Sequence, residues 1–101
     1  MKKVRLSEEE LKAIVETARE VFGKGVKLWL FGSRVNPNAK GGDIDLYAEI
    51  EPYEDVLRKK LDFLVKLEEK IGEQRVDLIL RPFNDESFIS KMAKEEGVRL
   101  L

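Results

Sequence analysis

The chain has 101 residues and a formal net charge of −1, so it provides no overall basic field for nucleic acid, and direct nucleic-acid binding is not expected. It contains no cysteine and no histidine, which excludes disulfides, thiol or histidine catalysis and zinc sites of the cysteine/histidine type. We expect one small domain over residues 1–101, in a reduced, cytoplasmic setting. The basic start leads into acidic residues, so no signal peptide is expected, and no segment is long enough to span a membrane.

The first predicted element is a helix from about Glu8 to Phe22. Ser7 and Glu10 form a capping-box pattern, and apolar residues follow at helical spacing. A strand over Val26–Phe31 comes next. Most of it is apolar on both faces, which predicts a central place in the sheet. Trp29 is expected to pack in the core rather than to stack on a base.

The first strand ends abruptly at the pair Gly32-Ser33. Alone, such a pair is an ordinary turn, but an Asp-x-Asp motif downstream favours a phosphate site, because a small residue lets backbone amides approach a phosphate. Arg34 starts the following short helical turn and either binds phosphate or is a solvated surface charge. Lys40 is more typical of a solvated loop residue, although a triphosphate or a partner is an alternative contact.

Asp43 and Asp45 open the second strand, Asp43–Ile50. Side chains alternate along a strand, so these two carboxylates project from the same face. Adjacent carboxylates repel each other unless a cation lies between them, and hard oxygen ligands suit Mg²⁺. A strand-start cap would explain Asp43 but not Asp45. Glu49 shares this face farther along, and we expect it at the surface rather than as a ligand.

A long second helix is predicted over Tyr53–Ile71. The stripe expected to be buried is Leu57, Leu61, Leu64 and Ile71. The basic run 58–60 on the other face is typical of a solvated surface, and docking of an acidic partner is the alternative.

Asp77 lies in the middle of a third apolar strand, Val76–Leu80. A lone aspartate in such a strand is costly unless it is paired or bound to metal. If this strand lies beside that of Asp43 and Asp45, three carboxylates converge. Three carboxylates can hold two Mg²⁺ ions, an arrangement used for in-line phosphoryl or nucleotidyl transfer.

A last helix is predicted to open at residues 85–87 and to end at Gly97. We expect Phe83, Phe88 and Met92 in the core, although part of this segment is also a candidate partner-binding edge. Residues 98–101 are predicted as a short edge strand.

The motif Gly32-Ser33, a loop of nine residues, Asp43-x-Asp45 and a lone strand Asp77 resembles the DNA polymerase β-like nucleotidyltransferase superfamily. The short chain is similar to its minimal nucleotidyltransferases, small subunits paired with HEPN or four-helix substrate-binding proteins, many of them toxin–antitoxin modules. The likeness covers roughly residues 11–101. It implies an α/β (α+β) fold, a small mixed sheet with helices packed on one face and the carboxylates on the other.

The resemblance also implies an activity, the Mg²⁺-dependent transfer of a nucleoside monophosphate, AMP from ATP or its counterpart from another NTP, to a hydroxyl acceptor. The implied nucleotide- and phosphate-binding residues are Gly32, Ser33 and Arg34. The implied catalytic residues, which would also hold two Mg²⁺ ions, are Asp43, Asp45 and Asp77. In this reading Asp77 helps to deprotonate the attacking hydroxyl, which requires no histidine.

The predicted elements leave no residues for an acceptor-binding domain, so we expect another chain to supply the acceptor, in a hetero-oligomer. The resemblance suggests a HEPN-type partner, modified on a tyrosine by the chain acting as antitoxin. Two alternatives stay open: an antitoxin that only binds, and transfer to a small molecule. A haloacid-dehalogenase phosphatase also has Asp-x-Asp after a strand, but without Gly-Ser before it and in a longer chain.

Overall fold

The computed structural model describes residues 4–36 and 42–101. They form three α-helices, a 3₁₀ turn and one four-stranded sheet. The helices are α1 (Glu8–Phe22), α2 (Val56–Ile71) and α3 (Phe88–Glu96), and the 3₁₀ turn is Gly32–Val35. The strands are β1 (Lys27–Phe31), β2 (Ile44–Ile50), β3 (Val76–Pro82) and β4 (Val98–Arg99).

The sheet is mixed, with strand order β3-β2-β1-β4. β1 runs antiparallel to both of its neighbours, β2 and β4, whereas β2 and β3 are parallel and are joined through α2. The expected α+β fold with a small mixed sheet is therefore confirmed, as are the central position of β1 and the short C-terminal edge strand. Trp29 is 7% exposed and packs as expected.

α1 begins where the sequence predicts. The hydroxyl of Ser7 accepts a hydrogen bond from the backbone N–H of Glu10 at 3.0 Å, and the Glu10 carboxylate accepts one from the backbone N–H of Ser7 at 2.9 Å. This reciprocal pair satisfies two donors that a helix start leaves free.

One face of the sheet is covered by α1 and α2. Alternate residues of the three long strands point into this core, where Ile14 of α1 meets Phe63 and Leu67 of α2. The strand residues of this core are Leu28, Leu30, Ile44, Leu46, Ala48, Ile50, Leu78 and Leu80. Apolar burial of this kind contributes roughly 25 cal/mol per Å², so this face provides most of the stabilisation.

The third helix packs on the opposite face, the face that carries the aspartates. Ala93 of α3 packs against Trp29 and Tyr47 in a second, smaller cluster. Two helices share one face, as the prediction of helices packed on one face requires, but the prediction did not foresee that α3 covers one end of the other face. α3 does not cover the end of β2 near Asp45, and the site described below lies at this end.

α2 differs from the prediction in its start and in part of its buried stripe. It begins at Val56 because Asp55, with φ 51°, adopts a left-handed conformation that a helix cannot pass through. The prediction that Leu57 and Leu61 are buried is wrong, since they are 69% and 53% exposed. The helix instead buries Phe63, whose ring stacks on that of Phe22 at a centroid distance of 5.4 Å.

Phe88 was also expected in the core, and this prediction is wrong. It is the first residue of α3 and is 82% exposed, because the helix turns Ser90 and Ala93 towards the sheet instead. The helix is capped by Ser87, whose hydroxyl accepts a hydrogen bond from the backbone N–H of Ser90 at 3.3 Å.

Candidate active site

Asp45 and Asp77 occupy opposite positions in the parallel pairing of β2 and β3. Residues paired in register point to the same face of a sheet, so both carboxylates project from the face opposite the α1–α2 core. Their neighbours Leu46 and Leu78 point the other way and are at most 2% exposed. The predicted convergence of these two aspartates is thus a consequence of strand register.

Asp43 lies two residues before Asp45, just ahead of the strand. Its carboxylate is 4.0 Å from the guanidinium of Arg75, an ion pair in which both partners are partly exposed to solvent. Such a pair is weak, so it places little constraint on the carboxylate. Asp43 lies close enough to Asp45 for its charge to raise the pKa of the Asp45 carboxyl group.

The environment of Asp45 is unfavourable to negative charge. Burial raises the pKa of its carboxyl group, and the nearby charges of Asp77 and Asp43 raise it further. Among residues 4–36 and 42–101, the causes of this shift are burial and the two carboxylates, with no cationic side chain beside them. The arrangement thus concentrates negative charge at one point, which is what a cation or a phosphate-bound cation would relieve.

Gly32 and Ser33 begin the 3₁₀ turn, and Gly32 lies directly against Asp45. Gly32 has φ +77°, and a Cβ atom at this position would overlap the carboxylate of Asp45. On the other side, Gly42 has φ +97°, and a Cβ atom there would overlap the hydroxyl of Ser33. Only glycine permits both the backbone conformation and the close approach. The backbone of the turn consequently forms one wall of the carboxylate site.

Arg34 is held by three acceptors of the protein itself. Its guanidinium donates hydrogen bonds to the carbonyl oxygens of Arg5 at 2.7 Å and Gly42 at 3.3 Å, and to the side-chain oxygen of Gln74 at 3.5 Å. It therefore links the N-terminal segment, the 3₁₀ turn and the start of β2. Its predicted contact with phosphate remains a prediction. Lys40, the other cation considered in this loop, lies outside the described residues.

The donor set suits magnesium, but it is not a complete metal cage. Across residues 4–36 and 42–101, no three acidic side chains are gathered closely enough to hold a metal ion by themselves. Mg²⁺ in nucleotide sites is usually bound by one or two carboxylates together with substrate phosphates and waters. The hard oxygens of Asp43, Asp45 and Asp77, beside the glycine wall of Gly32, fit that mode of binding.

Comparison with known families shows to which protein family the chain belongs. The sequence matches the model of the nucleotidyltransferase domain over residues 10–100, nearly the whole chain. The chain belongs to this nucleotidyltransferase family. No curated protein matches the sequence significantly. The recognition made from the motif is thereby confirmed at the level of the family, and the protein is a transferase of the nucleotidyl-transferring kind. None of the helices in the described ranges is long and apolar enough to cross a membrane.

The nucleotidyltransferase contains a polar cluster that sequence analysis missed. Glu49 was expected at the surface, and this prediction is wrong, because its side chain is 1% exposed under α3. It accepts hydrogen bonds from the Tyr47 hydroxyl at 2.7 Å and the Ser90 hydroxyl at 3.4 Å, and the Lys94 ammonium lies 2.7 Å away. Alternation along β2 placed Glu49 on the correct face, but nothing local in the sequence indicated that a helix covers it.

The charge state of this cluster follows from its contacts. Burial alone raises the pKa of Glu49, but the hydrogen bonds from Lys94 and Tyr47 and the charge of Lys94 outweigh burial, and the net pKa lies below its ordinary value. Burial raises the pKa of the Tyr47 hydroxyl, which therefore stays protonated and donates. An ionised Glu49 thus ties α3 to β2, two positions beyond Tyr47 and away from the aspartates.

Proposed function

We propose that the nucleotidyltransferase uses Mg²⁺ and ATP, or another NTP, to transfer a nucleoside monophosphate to a hydroxyl group of a partner protein of the HEPN or four-helix type. The observation that carries this proposal is the pairing of Asp45 with Asp77 across β2 and β3, with the backbone of Gly32 packed on Asp45. Carboxylates and a close backbone wall are together suited to a triphosphate with its cation.

In this proposal, the β- and γ-phosphates of the triphosphate lie against the 3₁₀ turn. The hydroxyl of Ser33 and the backbone amides of the turn donate hydrogen bonds to phosphate oxygens, which needs the close approach that Gly32 allows. Arg34 keeps this turn in place through the carbonyl oxygens of Arg5 and Gly42. A direct contact of its guanidinium with phosphate is the second role proposed for Arg34.

The transfer itself is a substitution at the α-phosphorus. The acceptor oxygen forms a bond to this phosphorus, the bond from the phosphorus to the oxygen bridging to the β-phosphate breaks, and pyrophosphate leaves. The proton of the acceptor hydroxyl passes to the carboxylate of Asp77, which acts as the general base. Asp43 and Asp45 would hold the cation that positions the triphosphate, so that much of the rate acceleration would come from orientation.

Magnesium would be held by Asp43, Asp45 and Asp77, and two ions are expected. When bound, Mg²⁺ would neutralise charge that builds up on the phosphates and would orient them for in-line attack. The raised pKa of Asp45 supports this assignment, because the cost of three neighbouring carboxylates is removed by a divalent cation.

In the cell, we propose a cytoplasmic antitoxin that adenylylates its partner, on a tyrosine hydroxyl. The test is transfer of label from α-labelled ATP, with Mg²⁺, to the purified product of the neighbouring reading frame. We expect label on that protein with the native chain and none with the Asp45→Asn variant. Label on a small hydroxylated compound instead would assign a small-molecule acceptor. A stable complex without any label, together with neutralisation that Asp43→Asn leaves intact, would assign an antitoxin that only binds.

A further inference from the structure

β3 is a long, open edge of the sheet. It pairs only with β2 among the described strands and runs for seven residues, whereas the opposite edge, β4, has two. Proteins usually protect their edges by keeping them short or by placing charges and prolines in them. In β3 the proline comes last, at Pro82, and the one charge in the first half of the strand is Asp77, whose carboxylate belongs to the proposed site. The main-chain groups of this half therefore remain available for pairing.

The outward-facing backbone groups of β3 can be assigned from two hydrogen bonds. The backbone N–H of Ile44 donates to the carbonyl oxygen of Arg75 at 3.0 Å, so Arg75, and by alternation Asp77, directs its main-chain groups towards β2. Val76 and Leu78 then direct theirs towards the open edge. Consistent with this, the carbonyl oxygen of Leu80 faces outwards and accepts a hydrogen bond from the Tyr53 hydroxyl at 3.1 Å.

Two neighbouring grooves lie along this edge and share part of their lining. The first, of about 300 Å³, lies between α2 and β3 and is lined by Tyr53, Leu57 and Lys60 together with residues 78–81. The second, of about 470 Å³, contains both Asp45 and Asp77. Lys60, Leu78 and Ile79 line both grooves. An occupant of the first groove therefore reaches the aspartates directly along β3.

The walls of the first groove define the chemistry of its occupant. Leu57, which lines this groove, is 69% exposed, so the α2 side offers an apolar contact. Lys60 lies in the groove, and Arg58 and Lys59 follow Leu57 along α2. The edge itself offers main-chain donors and acceptors, which an extended peptide matches better than a helix does.

We infer that the open edge of β3 binds the acceptor as an extended polypeptide segment, which adds a strand to the sheet and presents a hydroxyl-bearing residue opposite Asp77. This inference rests on the proposed function, because it assigns the acceptor of that transfer. The segment carries apolar residues on either side of the hydroxyl-bearing one and acidic residues beyond them, matched to Leu57 and Lys60.

The register follows from the geometry of the edge. Because the main-chain groups of Asp77 point to β2, a residue opposite it in an antiparallel added strand forms a non-hydrogen-bonded pair, with Cα atoms only about 4.5 Å apart. Its side chain lies on the aspartate face, and a tyrosine is long enough to extend past the carboxylate towards the phosphates. The flanking residues bond to Val76 and Leu78 and turn their side chains towards α2.

The test uses the full chain, labelled with ¹⁵N, and a synthetic peptide Glu-Glu-Val-Tyr-Val-Glu-Glu with blocked ends. We expect chemical-shift changes centred on the amides of Val76 and Leu78, and at least tenfold slower hydrogen exchange at Leu78. With Mg²⁺ and α-labelled ATP, the peptide should acquire label, and a peptide with phenylalanine in place of tyrosine should not.

Matched peptides separate strand addition from side-chain binding. N-methylation of both valines removes the donors that face β3 and should lower affinity at least tenfold. N-methylation of the tyrosine alters a donor that faces away from β3 and should leave affinity unchanged. Equal affinity of all three peptides would overturn the inference.

Matched variants of the protein test the groove. Leu57→Glu should lower peptide affinity at least tenfold, because it places a like charge beside the peptide's glutamates. Val65→Glu lies two turns farther along the same exposed side of α2, is 57% exposed in the native chain and lines neither groove, so it should have no effect.

The failure of this inference can be told apart from the failure of the proposed function by measuring Mg²⁺–ATP binding without peptide. Nucleotide binding that depends on Asp45, with peptide shifts elsewhere or none, would overturn only the inference. Self-association that protects the Leu78 amide and excludes the peptide would also overturn it, and would make the edge a contact between two copies. Absence of nucleotide binding would overturn the proposed function itself.

Discussion

Asp45 and Asp77 lie side by side in the register of β2 and β3, two like charges on one face of a parallel pair. Like charges directly opposite each other destabilise a sheet. Without a cation or nucleotide, the repulsion between these carboxylates therefore destabilises the folded protein. The raised pKa of Asp45, caused by burial and then by Asp77 and Asp43, reports the same conflict.

Asp45→Asn should therefore stabilise the ligand-free protein while it abolishes transfer. We expect the free energy of unfolding at neutral pH to rise by roughly 0.2–1 kcal/mol, because one of the opposed charges is removed. Thermal unfolding without metal or nucleotide measures this change. Asp62→Asn, on the exposed side of α2, is the control and should have no effect. A lower melting temperature for Asp45→Asn would show that the carboxylate has a stabilising partner in the ligand-free state.

Gly32→Ala should damage the site at the wall beside Asp45. A Cβ atom would overlap the Asp45 carboxylate, and φ +77° is a strained conformation for alanine, costing about 1–2 kcal/mol. We expect transfer to fall about 100-fold, since small displacements of a catalytic group have effects of this size. Gly25→Ala is the control, because nothing lies within 4 Å of a Cβ atom there. Full activity of Gly32→Ala would contradict the role given to this wall.

Lys94→Met should destabilise the protein in a manner that depends on pH. It leaves the buried Glu49 without its cation, and we expect a loss of about 2–3 kcal/mol at pH 7, since the hydrogen bond from Tyr47 remains. In the native protein the pKa of Glu49 is lowered, so its stabilisation is complete above the ordinary value of 4.5 and is lost as the pH falls through the lower folded value.

In the variant, burial dominates and the pKa of Glu49 rises. As the pH is lowered, the carboxyl group therefore takes up its proton. The free energy of unfolding of the variant should then approach that of the native chain. Urea unfolding between pH 3 and pH 7 would show a stability difference that shrinks towards acid. Lys91→Met on the same helix, an exposed residue that forms no ion pair within the described parts of the chain, serves as the control. A difference that does not change with pH would mean that Lys94 acts through packing alone.

Local patterns in the sequence predicted the helix starts with side-chain caps, the central strand and the two paired aspartates. These features depend on residues that are close together in the sequence, or on the alternation of side chains along a strand. Both can be seen in the sequence without knowledge of the fold. The errors at Leu57, Leu61, Phe88 and Glu49 have a different origin. α2 carries two apolar stripes at helical spacing, one through Phe63 and one through Leu57, and only the packing of α1 selects between them. Glu49 is buried because α3 folds back on β2, a contact between residues 41 positions apart.

Replacing one residue of each apolar stripe of α2 by alanine should show which stripe stabilises the fold. Phe63→Ala should lower the free energy of unfolding by about 3–5 kcal/mol, because its ring is fully buried against Phe22. Leu57→Ala should change it by no more than about 0.5 kcal/mol, since the side chain is 69% exposed. Urea denaturation of both variants measures the contrast. Equal losses would mean that Leu57 is covered in solution, by a second copy or by another part of the chain.

Arg34→Met should separate the two roles proposed for this arginine. Its guanidinium bonds to the carbonyl oxygens of Arg5 and Gly42, so its loss should lower the free energy of unfolding of the ligand-free protein by about 1–3 kcal/mol. Lysine has a single ammonium group and cannot replace the planar guanidinium at three acceptors, so Arg34→Lys should be nearly as unstable. Arg58→Met, at an exposed ion pair, is the control. Calorimetry of ATP binding supplies the second measurement. If Arg34→Met lost ATP affinity at unchanged stability, and Arg34→Lys restored part of that affinity, Arg34 would be a phosphate ligand. Its role in holding the turn would then be contradicted.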